Sequence, residues 1–223
     1  MKNQKKIVAL LHWLQINNSM EKYIWSLDIS TTNIGSALWD SQGKLIELKH
    51  LELKLGKDVP IEDRELHKAE IFRKYVEEFK LRILNELNGE LMQIVVEEPL
   101  GGSNNPSTAS MLFGFNGICR YILFRIFGIH PIKISVHESR KLFCSELVRT
   151  SYNKKGEKSE TLSFPVEYRD KKKLYIWEKV CKLEPQIEWF YKKDSKEPKD
   201  MCFDMSDSYA VGYAGLKTLK IIK

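Results

Sequence analysis

Apolar positions in the first part of the chain fall into short runs separated by polar turns. Residues 23–28 are apolar, with β-branched and aromatic side chains, and end in an acid, a pattern typical of a buried strand. Two more strands are predicted at 36–39 and 44–55, joined by a hairpin signal over residues 40–43. The pattern therefore predicts three antiparallel strands, with Asp28 at the end of the first.

Helical and strand patterns alternate along the rest of the chain. Apolar residues recur at helical spacing over 61–87, whereas the continuous apolar runs at 92–96 and 132–136 predict strands that are buried on both faces. Further helices are predicted at 107–127, from about 138, at 174–183 and at 204–219, with loops at 101–106 and 192–199. This order of elements predicts one α/β domain with a mixed sheet.

Two segments depart from this pattern. Residues 150–173 are polar, basic and rich in turn formers, and we interpret them as a long loop or basic insertion within a single domain over 20–223. Residues 1–19 are interpreted as an N-terminal extension, since the apolar run 7–14 is interrupted by polar residues and is too short to span a membrane. Met20 is then an alternative start, and the extension is expected to be dispensable.

Composition adds a weak preference for a polyanionic partner. The net charge of +6 and the pI near 9.0 favour such a partner, although many lysine-rich proteins bind no nucleic acid. The cysteines are scattered without C-x-x-C spacing, which is typical of reduced, mostly buried thiols in a cytoplasmic protein and argues against a zinc site or a disulfide framework. They are Cys119, Cys144, Cys181 and Cys202.

Acidic residues end two predicted strands and open the last predicted helix. Asp28 and Glu97 follow apolar strands, and Asp204 and Asp207 are three residues apart, so they share one helix face. Each has a structural alternative, such as helix capping or turn formation, and Glu98 competes with Glu97 because only one of the two can point the same way as Val95. Several carboxylates that converge would suit Mg²⁺, which prefers hard oxygen ligands.

Three motifs together resemble the RuvC-type Holliday-junction resolvases. They are Leu27-Asp28-Ile29-Ser30-Thr31-Thr32-Asn33-Ile34-Gly35, Ile94-Val95-Val96-Glu97-Glu98-Pro99 and Asp204-Met205-Ser206-Asp207-Ser208-Tyr209-Ala210-Val211. They occur in the family's order and frame most of residues 23–219. The resemblance implies an RNase H-like fold, with a mixed central sheet of three antiparallel strands followed by parallel strands and with flanking helices.

The resemblance also implies an activity. Asp28, Glu97, Asp204 and Asp207 would be the catalytic acids and the ligands of two Mg²⁺ ions, for which Mn²⁺ would substitute. A homodimer would resolve four-way DNA junctions by paired nicks. Bacterial members often carry an aromatic residue soon after the catalytic Glu, whereas Pro99-Leu100-Gly101 stands here, so the bacterial mode of junction opening is in doubt.

Candidate DNA-binding residues come from the resemblance and from charge. Asn105 and Ser107 would lie on a DNA-facing loop before and within the long helix. Basic residues near the acids or in the 150–173 segment could neutralise phosphates, although a lysine run more often only keeps a loop solvated. These are Lys133, Arg140, Lys141, Lys154, Lys155, Lys158, Lys171, Lys172 and Lys173.

Alternative functions remain open at this point. An RNase H-like nuclease acting on other branched DNA or on RNA–DNA hybrids would use the same acids. A non-catalytic nucleic-acid-binding relative would not need all four. An actin-like ATPase would need glycine-rich phosphate loops in the second half of the chain, and the sequence contains none.

Overall fold

The structure is a computed structural model that describes residues 20–99, 106–152 and 155–223. Predictions that concern residues 1–19, Asn105 and Lys154 lie outside the described residues. Within these ranges no helix is long and apolar enough to cross a membrane.

A five-stranded sheet forms the centre of the fold. Its strands are β1 (Glu21–Ile29), β2 (Asn33–Asp40), β3 (Leu45–Glu52), β4 (Gly89–Glu98) and β5 (Ile132–Ser135). The spatial order is β3-β2-β1-β4-β5; the first three strands in sequence pair antiparallel, and β4 and β5 run parallel to β1. The predicted α/β class and mixed sheet are confirmed.

Helices cover both faces of the sheet. They are α1 (Arg64–Asn85), α2 (Pro106–Phe127), α3 (Val136–Phe143), α4 (Lys172–Leu183) and α5 (Asp200–Thr218). One core cluster joins the sheet to α1 and α2, and a second joins the opposite face to α3, α4 and α5. Since a sheet buried on both faces needs apolar residues at successive positions, this layering explains the continuous apolar runs of β1 and β4.

Strand alternation assigns each residue of β1 to one of these two cores. Trp25 and Leu27 belong to the α1/α2 core, where Trp25 stacks on Phe79 with ring centroids 3.9 Å apart. Ile24 belongs to the α5 core, and Ser26 contacts α5 directly. Successive side chains of a strand point to opposite faces, so Asp28, at the end of the same series, also points to the α5 side.

Helix α5 lies unusually close to the sheet. A Cβ atom on Gly212 would come within 2.3 Å of Ser26 Oγ, and one on Gly215 within 2.6 Å of Val95 Cγ2. The buried Ser26 hydroxyl donates to the Ser208 carbonyl at 2.9 Å and accepts from Trp39 Nε1 at 3.0 Å. The small residues Gly212 and Gly215 therefore fix the distance between α5 and the sheet, and the Ser26 hydroxyl fixes the position of α5 along its axis.

The prediction of a loop over 150–173 was wrong in part. Strands β6 (Val148–Tyr152) and β7 (Lys158–Leu162) form an antiparallel hairpin there, and α4 begins at Lys172. Both strands are largely solvent-exposed, so they lack the apolar alternation by which a strand is recognised from sequence. Lys141 of α3 anchors the hairpin through an ion pair with Glu160, with Nζ and Oε2 2.7 Å apart.

The β1–β2 turn brings Gly35 against the start of α5. A Cβ atom at Gly35 would lie 1.9 Å from the Asp204 carbonyl oxygen, which belongs to backbone and cannot rotate away. We expect Gly35→Ala to lower the free energy of unfolding by about 2 kcal/mol or more, because α5 must shift to relieve the overlap. Chemical denaturation followed by circular dichroism measures this change.

Gly117→Ala is the matched control, since a Cβ atom at Gly117, within α2, would meet nothing within 4 Å. Alanine favours a helix interior over glycine by up to about 1 kcal/mol, so this variant should be as stable as the wild type or more stable. Equal stability losses in the two variants would contradict the proposed close approach of Gly35 to α5.

Candidate active site

Asp28 and Glu97 lie side by side where two parallel strands end. The β1–β4 register pairs Leu27 with Val96, which makes Asp28 and Glu97 neighbours, and the Glu97 carboxyl donates a hydrogen bond to Asp28. Val95 belongs to the α5 core, so strand alternation points Glu97 to that side as well.

Glu98 points to the opposite face of the sheet. Its carboxylate pairs with the half-exposed Lys133 of β5, with Oε1 and Nζ 2.6 Å apart. The sequence left open which of Glu97 and Glu98 points the same way as Val95. In the structure it is Glu97, and not Glu98, that lies beside Asp28.

Helix α5 brings Asp204 and Asp207 to the same place. Asp207 is buried, with 3% of its side chain exposed, and Asp204 is 14% exposed. The helix begins at Asp200, four residues earlier than predicted, so neither acid is the helix cap. The contact of Gly35 with the Asp204 backbone and the hydrogen bond between Ser26 and Ser208 position the two acids next to β1.

Lys173, a candidate phosphate contact from the basic 150–173 segment, lies against the two aspartates of α5. Its Nζ lies 2.9 Å from Asp207 Oδ2 and 3.7 Å from Asp204 Oδ1, which confirms that the two acids share a helix face. A signal for this position exists in the sequence, because Lys173 precedes the buried Ile176 and Val180 by three and seven residues on α4.

Arg140 is the second cation at the acids, and it was among the predicted DNA contacts. Its Nη2 lies 3.7 Å from Asp207 Oδ1, which is too long for a hydrogen bond, and its buried Nε has no hydrogen-bond partner among the described residues. The side chain is only 17% exposed. Arg140 is therefore a largely buried guanidinium with an unpaired Nε donor.

Burial and repulsion by neighbouring carboxylates make Asp28, Glu97 and Asp204 hard to ionise. Burial, with the nearby Asp207 charge, raises the pKa of Asp28 from 3.8 to about 7, although Lys173 opposes the shift. Burial and the Asp28 charge also raise the pKa of Glu97 well above its ordinary value, and burial raises that of Asp204. Burial alone would lower the pKa of Lys173, but Asp207 and Asp28 outweigh it and raise that pKa.

The other predicted DNA contacts lie at varied distances from this site. Ser107 is exposed in the first turn of α2, and Lys141 is held by the β6–β7 hairpin. Lys155 follows β6, whereas Lys171 and Lys172 lie exposed in the segment that leads to Lys173. Arg140 and Lys173, from the same predicted set, approach Asp207, and DNA contact by every residue of the set stays a prediction.

The donor chemistry of the site fits Mg²⁺, since four carboxylates supply hard oxygen atoms and their repulsion would be relieved by a divalent cation. Among the described residues, however, no three acids, histidines or cysteines already converge on one point closely enough to form a metal site. The Lys173 ammonium lies against the carboxylates of Asp204 and Asp207.

Comparison with solved structures identifies the fold. The chain resembles RuvC from Thermus thermophilus in complex with a Holliday junction substrate, with a TM-score of 0.53 and 10% identity over 89% of this chain and 95% of that one. A second Thermus thermophilus RuvC structure gives a TM-score of 0.50 at 10% identity, covering 90% of this chain and 98% of that one. The RNase H-like fold is thereby confirmed.

Sequence comparison adds nothing to this likeness. No protein-family model matches the chain, and no curated protein matches it significantly.

The raised pKa of Asp28 predicts how stability depends on pH. The native state holds this proton more tightly than the unfolded chain, so the penalty for ionised Asp28 is absent below about pH 4, grows up to about pH 7 and is constant above. Without metal, we expect Asp28→Asn to be more stable than the wild type at pH 8 by about 2–4 kcal/mol. Denaturation in EDTA measures the difference.

At pH 5 the advantage of Asp28→Asn should shrink markedly, because the wild-type carboxyl then keeps its proton. Glu98→Gln is the matched control, and its stability difference should change little with pH because Glu98 lies outside the cluster. An Asp28→Asn variant less stable than the wild type at both pH values would contradict this account.

Proposed function

We propose that the chain is a metal-dependent endonuclease that cuts branched DNA, with four-way junctions as its substrate. The observation that supports this best is the convergence of Asp28 and Glu97 from parallel strand ends with Asp204 and Asp207 from α5. Four acids packed together, with Asp28 and Asp207 buried, are costly in a merely structural site, because their charges repel. Such an arrangement is expected where cations are recruited for chemistry.

In this proposal Asp28, Glu97, Asp204 and Asp207 hold two Mg²⁺ ions, and Mn²⁺ substitutes for them. Such ions would activate water and stabilise the leaving oxygen of a phosphodiester. Metal binding at the α5 acids would displace the Lys173 ammonium from the position it takes between them. The displaced lysine and Arg140 would then be available to a phosphate group, which both side chains can bind.

The fold is consistent with this activity, since the Thermus thermophilus RuvC that it resembles was solved with a Holliday junction substrate. A four-way junction offers two equivalent strands, and a homodimer would cut both symmetrically. The exposed apolar residues Met111, Phe113 and Tyr121 of α2 are available for such an interface. A monomer in solution would favour an RNase H-like nuclease acting on other branched DNA or on RNA–DNA hybrids.

Cleavage assays test the proposal directly. The protein is incubated with Mg²⁺ or Mn²⁺ and an end-labelled four-way junction, a duplex of the same sequence or an RNA–DNA hybrid. We expect paired nicks in the junction, little cleavage of the duplex, and a loss of at least about a thousandfold in Asp28→Asn and Asp207→Asn, because each removes a charged metal ligand. Both variants should still fold and bind DNA.

Glu98→Gln serves as the control, since it removes a carboxylate adjacent in sequence that points to the other face of the sheet. It should cleave like the wild type. Full cleavage by Asp28→Asn or Asp207→Asn would refute the assignment of the acids. Equal cleavage of junction and hybrid would refute the junction preference while leaving the nuclease proposal intact.

A further inference from the structure

A cleft of about 650 Å³ opens beside the acids. We name it the basic cleft, and the residues that line it are Arg140, Arg169, Asp170, Lys171, Lys172, Lys173, Leu174, Lys192, Glu197, Pro198 and Phe203. It lies between the segment that leads into α4 and the loop that precedes α5. Six of its side chains are cationic and two are acidic, so it favours an anionic occupant.

Half of these six cations have no ion-pair partner among the described residues. Lys192 pairs with Glu197, with Nζ and Oε2 3.0 Å apart. In the part of the chain that the structure describes, Arg169, Lys171 and Lys172 have no ion-pair partner. Clustered cations without protein partners usually mark a site that binds a polyanion, such as the phosphate backbone of a nucleic acid.

The basic cleft and the acids share residues. Arg140 and Lys173 line the cleft and also approach Asp207. Phe203, which lines the cleft from α5, directly precedes Asp204 in the chain. An extended chain lying in the cleft would therefore place a neighbouring phosphate next to the carboxylates.

The cleft also has an apolar part, formed by Phe203, Leu174 and Pro198. A basic groove combined with an aromatic ring is the arrangement with which proteins bind single strands, because unpaired bases stack on the ring while cations follow the backbone. In a duplex the bases already stack on one another, and most contacts that a protein makes are to the phosphates and sugars of the backbone. The combination therefore favours an unpaired strand.

The far wall of the cleft is held by backbone hydrogen bonds within its own loop. Lys192 N donates to the Glu197 carbonyl at 2.9 Å, and Lys199 N donates to the Phe190 carbonyl at 2.9 Å, so the loop closes on itself. Tyr191 and Pro198 pair across it as an isolated bridge. These backbone contacts do not involve the four acids, so binding to the wall can be measured apart from cleavage.

We propose that the basic cleft binds a single-stranded segment of the nucleic acid next to the bond to be cut, with Phe203 stacking on an unpaired base and Arg169 and Lys172 binding phosphates. The inference rests on the proposed nuclease function, because it identifies the strand on which the four acids would act. It adds a requirement that the acids alone do not impose, namely that several nucleotides beside the cut are unpaired.

Fluorescence anisotropy with the full chain in EDTA tests the inference. The probes are a labelled 12-nucleotide oligothymidine and a labelled 12-base-pair duplex. The wild type should bind the single strand at least about tenfold more tightly, and Phe203→Leu should weaken single-strand binding by about fivefold to a hundredfold, because stacking on the ring is lost. The salt dependence of binding should be unchanged in Phe203→Leu.

The double variant Arg169→Ser/Lys172→Ser should weaken binding and also reduce the slope of log affinity against log salt by about one to two, because phosphate contacts are lost. Lys44→Ser/Lys74→Ser removes the same charge from the β2–β3 turn and from the exposed face of α1, away from the cleft. This charge-matched control should retain at least half of the wild-type affinity. Thermal unfolding of each variant confirms that it is folded.

Three outcomes would overturn the inference: equal affinity of the wild type for duplex and single strand, unchanged single-strand binding in both cleft variants, or an equal loss in the control. Tight binding of heparin together with no effect of Phe203→Leu would show non-specific charge attraction and would also overturn it. Single-strand binding that depends on Phe203, in a protein that cleaves no DNA, would support the cleft and refute the nuclease proposal.

Discussion

The contact between Gly35 and the backbone of Asp204 fixes the geometry on which the rest of the site depends. No side chain fits between them, since a Cβ atom would overlap the Asp204 carbonyl oxygen. The start of β2 therefore touches the first turns of α5, and the hydrogen bond from Ser26 to Ser208 sets the helix position along β1. Because Asp28 lies on the same face of β1, the acids of the strand and of the helix must meet.

Bringing the acids of the strands and of α5 together has an electrostatic cost, and the protein offsets this cost only in part. Burial and repulsion raise the pKa of Asp28 to about 7, and the Glu97 carboxyl shares a hydrogen bond with it. Lys173 and Arg140 compensate, but the buried Nε of Arg140 has no hydrogen-bond partner in the part of the chain that the structure describes. A site optimised for stability alone would pair its charges more completely, and proteins tolerate such deficits mainly where function requires them.

Most of the fold followed from patterns that burial imposes. Strands β1 and β4 were predictable because both of their faces are covered, and Glu97 could be separated from Glu98 once Val95 was placed in the α5 core. The β6–β7 hairpin was not predictable, since its exposed strands carry no apolar alternation. The role of Lys173 was missed because a lysine run is usually solvated, and only the burial of Ile176 on the same helix face indicates otherwise.

The geometry also links the acids to the basic cleft. Phe203 and Asp204 are consecutive on the helix that Gly35 positions, so one backbone contact places both the aromatic ring and the carboxylate. Lys173 and Arg140 lie next to both the acids and the basic cleft. They partly neutralise Asp207, and a phosphate in the cleft would be a second anion for them to bind. Each of these two side chains carries one positive charge. Metal ions that neutralised the acids would leave that charge available to the phosphate, so metal binding at the acids and phosphate binding in the cleft would favour each other. This mutual support explains why a nuclease would keep two costly cations so close to its carboxylates.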